Sequence, residues 1–218
     1  MSYRPHIKIC CISSPEEAQI AIDFGASAIG LVGQMPSGPG IISDELIAEI
    51  AGNAPSHIAT FLLTCETEAQ AIIAHHKKVQ TNTVQIVDAL QSGTYTEIRQ
   101  ALPDVKLVQV IHVTGNKSLE EALSIAHHVD FILLDSGNPN LAVKELGGTG
   151  RTHNWAISRR IVEKVSVPVF LAGGLQADNV RAAIEAVQPY GLDLCSGVRS
   201  LGKLDPFKLE KFFVAVSS

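Results

Sequence analysis

The sequence predicts an α/β chain folded as a single-domain (β/α)8 TIM barrel. Three observations predict it: short aliphatic runs alternate with helical patterns eight times, the 218 residues leave about 27 for each strand–helix unit, and the core-forming residues are aliphatic. Hydrophobic residues make up 46% of the chain and aromatic residues only 5%, the Ile, Val, Leu and Ala mixture that suits a parallel sheet covered by helices. A barrel of this kind usually needs about 250 residues, so 1–218 is read as one domain with no room for a second. A doubly wound open sheet is the competing arrangement of the same alternation.

The elements follow in order. Ile7 to Ile12 is an apolar run, and Ser13-Ser14-Pro15-Glu16-Glu17 after it has the marks of a helix start, with Ser14 as N-cap, Pro15 at the first helical position and acids in the first turn. That helix stops at Gly25, and a second strand runs from Ala28 to Val32. The alternation continues with a helix over 43–52 opened by Ser43-Asp44-Glu45, a strand over 58–64, a helix over 66–79, a strand over 83–87 and a helix over 94–102 closed by Pro103. A strand over 106–113, a helix over 118–128 and a strand over 130–135 lead into a long loop. Then come a helix near 154–165, a strand over 168–172, a helix over 177–187, a strand over 191–195 and a last helix over 206–215.

Composition narrows the function classes. With 17 Lys+Arg against 22 Asp+Glu the net charge is −5, which argues against a polybasic nucleic-acid binder, and only 18% charged residues in so apolar a chain argues against disorder. No apolar stretch approaches the ~20 residues needed to cross a bilayer, so no membrane association is expected. The four cysteines, Cys10, Cys11, Cys65 and Cys195, lack metal-ligand spacing. With the polar start Met1 to His6 they indicate a reduced, cytoplasmic protein. A monomer and a homodimer are equally compatible with the pattern.

Barrel enzymes carry their chemistry at the C-terminal ends of the strands. That rule selects Cys10-Cys11, Asp88, His112, Asp135, Gly173-Gly174 and Ser196-Gly197. Glycine turns let backbone N–H groups approach an anion closely, and the loops after strands seven and eight are a frequent phosphate site. Gly173-Gly174 and Ser196-Gly197 stand there, and Leu146-Gly147-Gly148-Thr149-Gly150 after strand six can close over the same anion. Asp135 shares a face with Phe131 and Leu133, so its carboxyl faces the barrel mouth, where burial would suit it to donate a proton. The structural alternative is a loop cap. Cys10 shares a face with Lys8, whose charge would influence the thiol; Cys11, by alternation, points away with Ile7 and Ile9. A buried cysteine is also a small hydrophobe.

Asp193, at the end of the last strand, and Asp88, His112 and Lys8 are further candidates for the pocket. His75-His76 and His127-His128 are adjacent on their helices, where metal ligands would stand four apart, and are read as helix-surface residues. Trp155 is read as an anchor for the helix after the long loop.

These residues identify a resemblance. Lys8-Ile9-Cys10, Leu133-Leu134-Asp135, Gly147 to Trp155, Leu171 to Leu175, Asn179-Val180 and Ser196-Gly197-Val198 are similar to the phosphoribosylanthranilate isomerase family, in the same order along the whole chain. The resemblance implies an Amadori rearrangement of a phosphorylated sugar in tryptophan biosynthesis, with neither metal nor organic cofactor. It implies Cys10 as general base, Asp135 as general acid, and Gly148, Gly173, Gly174, Ser196 and Gly197 as the phosphate site.

The chain also departs from the family. Cys11 stands where the family has glycine. The segment Gln34 to Ile41 lacks the arginine that in the family pairs with the anthranilate carboxylate, and Val87-Asp88 replaces a His-Gly pair. Arg199 replaces an acid after Ser-Gly-Val and is the candidate to supply the missing cation. Two other readings stay open at this stage: an isomerase for another phosphorylated sugar or aminosugar, and a non-catalytic barrel that binds a phosphate metabolite.

Overall fold

The computed structural model describes residues 4–36, 38–138, 141 and 144–217. Met1–Tyr3 and Ser37, which entered the sequence reading, lie outside the described residues. Eight parallel strands close into a barrel in sequential order. They are β1 (His6–Ile9), β2 (Ala28–Val32), β3 (Ala59–Thr64), β4 (Thr83–Ile86), β5 (Lys106–His112), β6 (Phe131–Asp135), β7 (Val169–Leu171) and β8 (Gly191–Leu194). The helices that follow them are α1 (Pro15–Asp23), α2 (Asp44–Asn53), α3 (Ala69–Val79), α4 (Tyr95–Ala101), α5 (Lys117–Ile125), α6 (Trp155–Lys164), α7 (Val180–Val187) and α8 (Pro206–Ser217). Lys8 pairs with Asp193 across the β1–β8 closure, which sets the register of the groups beneath the barrel mouth.

Local chemistry fixes the helix starts. Ser14, Ser43, Thr94 and Asn154 each accept from a backbone N–H two or three residues on, satisfying donors the first turn leaves without partners. Strand alternation then divides the core into two layers. Ile9, Ile29, Leu31, Leu62, Ile86, Ile132, Leu134 and Leu192 face the helices in the outer layer. Ala28, Phe61, Val108, Val110, Leu133 and Phe170 fill the barrel. Its floor is aromatic, with Phe131, Phe170 and Tyr190 ring centroids 5.4–5.6 Å apart. Trp155 begins α6 packed against the outer layer, as an anchor should.

The structure corrects several expectations. α5 ends at Ile125 and turns, not helix, carry the chain to Val129; α7 starts only at Val180. After β8 stand a single 3-10 turn, Ser196–Val198, and a small hairpin of β9 (Arg199–Ser200) and β10 (Lys203–Leu204), elements too short for periodicity to reveal. His75 and His76 are not surface residues. His76 is buried with Nε2 2.6 Å from the Thr81 carbonyl oxygen, and His75 joins Thr64 Oγ1 at 2.9 Å to Asp44 at 3.1 Å. His127 and His128 are exposed as expected.

Candidate active site

At the C-terminal end of the barrel one pocket collects side chains from nearly every βα loop. Cys10, Cys11, Gln85, Asp135, Asp193, Thr149 and Ser196 supply its polar groups. Val32, Met35, Pro39, Leu63, Val87 and Leu146 form an apolar wall. Gly147, Gly148, Gly150, Gly173 and Gly174 complete the opposite side. Cys10 and Asp135, read from strand ends 125 residues apart in the sequence, therefore meet in one cavity.

The glycine side is built by backbone. Gly173 and Gly174 have φ of +85° and +61°, and a Cβ on Gly174 would meet the Arg151–Thr152 backbone at 2.7 and 2.8 Å. Only glycine permits both the conformation and the approach. Asn179 fixes the turn by donating to the Gly174 carbonyl at 2.9 Å while accepting from Gln176 N–H at 2.9 Å. Ser136 Oγ and Thr149 Oγ1, 2.7 Å apart, tie the loop after β6 over the site. Gly197 lies behind the lining, packed so closely on Leu175 that a Cβ would stand 2.0 Å from its carbonyl oxygen. Nearby, burial lowers the His153 imidazole to about 4, so it is neutral at pH 7.

Asp135 is buried at the end of β6, and that burial raises its carboxyl above the usual range against the Ser136 N–H, which donates to Oδ1 at 2.7 Å. A carboxyl so placed keeps a proton that a solvated one would lose. For Cys10 the shift runs the other way: a hydrogen bond from Cys11 lowers its thiol, aided by the Lys8 ammonium and opposed by burial. Lys8 itself lies beneath the pocket, fully buried, bonded to Asp193 at 2.8 Å and 5.0 Å over the Phe61 ring. Asp193 holds its ammonium charged against the desolvation that favours loss of the proton. Gly30 makes room, since a Cβ there would stand 2.8 Å from Cys10 Sγ and 3.1 Å from Lys8 Nζ.

Four expectations about side-chain placement change. Cys11 does not point away: its φ of +63° breaks the alternation just past β1 and turns its thiol into the pocket. Arg199 does not supply a cation to this pocket. It is bound to Glu17 at 3.0 Å and 3.1 Å and donates to the carbonyls of Cys10 and Cys11, so its charge is spent on the turn that presents the thiols. Asp88 stands outside the lining, paired with Lys144 from the loop after β6. His112 is likewise outside, 3.0 Å from the Val87 carbonyl oxygen. Among the described residues no lysine or arginine lines the pocket. Gln85, which strand position did not single out, does line it, with a buried Oε1 that has no hydrogen-bond partner among the described residues.

The family model described as "N-(5'phosphoribosyl)anthranilate (PRA) isomerase" matches residues 7–215. The chain belongs to this isomerase family. Among curated relatives, an N-(5'-phosphoribosyl)anthranilate isomerase of Methanosarcina acetivorans is 32% identical, covering 98% of this chain and 93% of its own. A second, from Methanosarcina mazei, is 35% identical over 94% and 91%. Among solved structures, phosphoribosyl anthranilate isomerase from Thermotoga maritima superposes with a TM-score of 0.80 at 27% identity, covering 98% of both chains. An isomerase in complex with reduced 1-(o-carboxyphenylamino)-1-deoxyribulose 5-phosphate superposes with a TM-score of 0.77 at 25% identity over 98% of each. Among the described residues no helix is long and apolar enough to cross a membrane.

Proposed function

We propose that the protein isomerises N-(5'-phosphoribosyl)anthranilate to the carboxyphenylamino-deoxyribulose phosphate, with Asp135 as general acid and Cys10 as general base. The observation that carries this reading is the meeting of a burial-raised carboxyl and a lowered thiol in one pocket. Their shifts oppose the ordinary order of a carboxyl and a thiol, and so favour the pair of protonation states the reaction needs.

The backbone N–H groups of Gly148, Gly173, Gly174 and Ser196 receive the phosphate and fix the sugar between the two groups. Asp135 gives its proton to the furanose ring oxygen as the ring opens to a Schiff base. The Cys10 thiolate then takes the C2′ proton, and the enolamine so formed tautomerises to the ketone. Lys8, held charged by Asp193, lies under the thiol as a positioning residue that favours its anion. The aglycone rests against Met35, Pro39, Leu63, Val87 and Leu146.

Turnover of freshly made phosphoribosylanthranilate, followed by loss of its fluorescence, tests the proposal. The parent is expected to turn over, and Cys10→Ser and Asp135→Asn each to lose about 10²- to 10⁴-fold in kcat. A folded parent that binds a sugar phosphate but does not turn this substrate over would contradict it.

A further inference from the structure

Two thiols of the pocket have no part in the acid–base pair. Cys11 and Cys195 are 184 residues apart in the sequence, yet both line the cavity and their Sγ atoms stand 2.7 Å apart. That is too close for two thiols to share a hydrogen bond, and only about 0.7 Å longer than an S–S bond. Both cysteines are free. The topology brings them together. β1 and β8 are neighbours in the barrel, with Ile9 opposite Leu194 and the Cys10 N–H donating to the Leu194 carbonyl at 2.7 Å, so Cys11 and Cys195 lie just past the ends of adjacent strands. Such strands run about 4.8 Å apart, inside the roughly 4.4–6.8 Å between Cα atoms that a disulfide spans. The φ of +63° then turns the Cys11 side chain into the pocket, a conformation an L-residue seldom adopts. Gly40 leaves the room for it, since a Cβ there would stand 2.5 Å from Cys11 Cβ, and the Arg199 guanidinium holds the turn by its carbonyls. Cys11 is 5% exposed, whereas Cys195 is half-buried and also lines a shallower adjoining hollow with Ser13 and Gly40. A small oxidant therefore reaches Cys195 first.

We propose that Cys11 and Cys195 are a modification site: a hydroperoxide converts the two thiols to a disulfide that ties the turn after β1 to the turn after β8 and slows turnover until a dithiol reduces it. The Cys195 sulfur attacks the O–O bond, keeps one oxygen as a sulfenic acid and releases the other as water or alcohol. The Cys11 sulfur then attacks the Cys195 sulfur and expels hydroxide, which leaves as water with the Cys11 proton. Two thiols lose two electrons and two protons, and the peroxide is reduced by the same two electrons. Cys10 immediately precedes Cys11, and Ser196 immediately follows Cys195. Closing the gap from 2.7 Å to a bond therefore shifts the turn of the base against the turn that receives the phosphate, and a misplacement near 1 Å can cost about 10²-fold in rate. Formation of the bond is independent of the proposed reaction; its effect on turnover rests on that reading.

The test treats the full chain, reduced and freed of reductant, with a small excess of hydrogen peroxide. Non-reducing peptide mass spectrometry is expected to find Cys11 joined to Cys195, with two of the four thiols lost to titration. A bond between residues so far apart in sequence restricts the unfolded chain, so the oxidised protein should melt about 5–15 °C higher than the reduced one. Its kcat/KM should fall about tenfold and return with dithiothreitol. Cys11→Gly, whose glycine suits the positive φ, and Cys195→Ser are each expected to form no such bond and to keep most of their own reduced rate after the same treatment. A parent in which Cys11 and Cys195 both stay titratable, or in which either pairs elsewhere, would overturn the proposal. A loss of rate as large in both variants as in the parent would overturn the control of turnover and place the damage at Cys10. A parent that forms the bond but, fully reduced, does not turn over phosphoribosylanthranilate would contradict the proposed reaction and leave the modification site standing.

Discussion

The two halves of the pocket are built from different materials. The side formed by the loops after β6, β7 and β8 is largely backbone, with glycines at positive φ and no cationic side chain among the described lining residues. The side formed by β2 and β3 and the loops after β2 and β4, with Val32, Met35, Pro39, Leu63 and Val87, is apolar side chain, and the ion pair between Asp88 and Lys144 lies beyond its lining. A backbone site is specified by chain geometry and binds a phosphate through aligned N–H dipoles. A side-chain wall is specified residue by residue, and each position can change without disturbing the barrel. A chain of net charge −5 can in this way offer an anion aligned backbone dipoles without a basic side chain among the described lining residues.

Breaking the joint between the halves should cost most. The turn Cys10-Cys11 lies between them, and Arg199 holds it while paired with the buried Glu17 carboxylate. Arg199→Ala is expected to destabilise the fold by about 3–5 kcal/mol in urea denaturation, because it leaves a buried charge without its partner. Glu17 is held below the usual carboxyl range, with Arg199 offsetting its burial. Its contribution is therefore present above the ordinary glutamate value and lost as pH falls through the lowered one, so the difference between parent and variant should shrink in acid.

On the backbone side, Gly174→Ala forces a Cβ into the Arg151–Thr152 backbone at a positive φ. About 1–3 kcal/mol of strain is expected to appear as a roughly tenfold or greater rise in KM for substrate and in Ki for inorganic phosphate. The side-chain half should respond least. Since no lysine or arginine among the described residues lines it, the N-phosphoribosyl derivative of aniline, which lacks the carboxylate, is expected to keep kcat/KM within about tenfold of the anthranilate substrate. A site that paired the carboxylate with a buried guanidinium would lose more, about 1.5–3 kcal/mol.

The same division governs what the sequence made legible. The barrel, the strand ends and the glycine turns could be read because they depend on period and on the residue type that adopts a positive φ without strain. Cys10 and Asp135 were reached through strand position and alternation. Cys11 was misplaced because alternation ends with the strand, and nothing in the residues 10–12 themselves announces a left-handed turn carried by a cysteine. His76 was legible and missed: Ala69, Ile72, Ile73, His76 and Val79 form the buried stripe of α3, the spacing of a helix face turned inward. The partners of Arg199 and Asp88 were out of reach, since Glu17 and Lys144 join them only through the closure of the barrel and the path of the loop after β6.

The pH dependence of kcat/KM in the parent and in Asp135→Asn tests most directly the claim that a thiolate and a protonated carboxyl act together. The parent is expected to show a bell, because the acting form holds a Cys10 thiolate beside a protonated Asp135, both limbs belonging to the pair as apparent values. Asp135→Asn should lose the falling limb, rising with pH as Cys10 loses its proton and levelling off at a far lower rate. A falling limb that persists unchanged in Asp135→Asn would contradict the account.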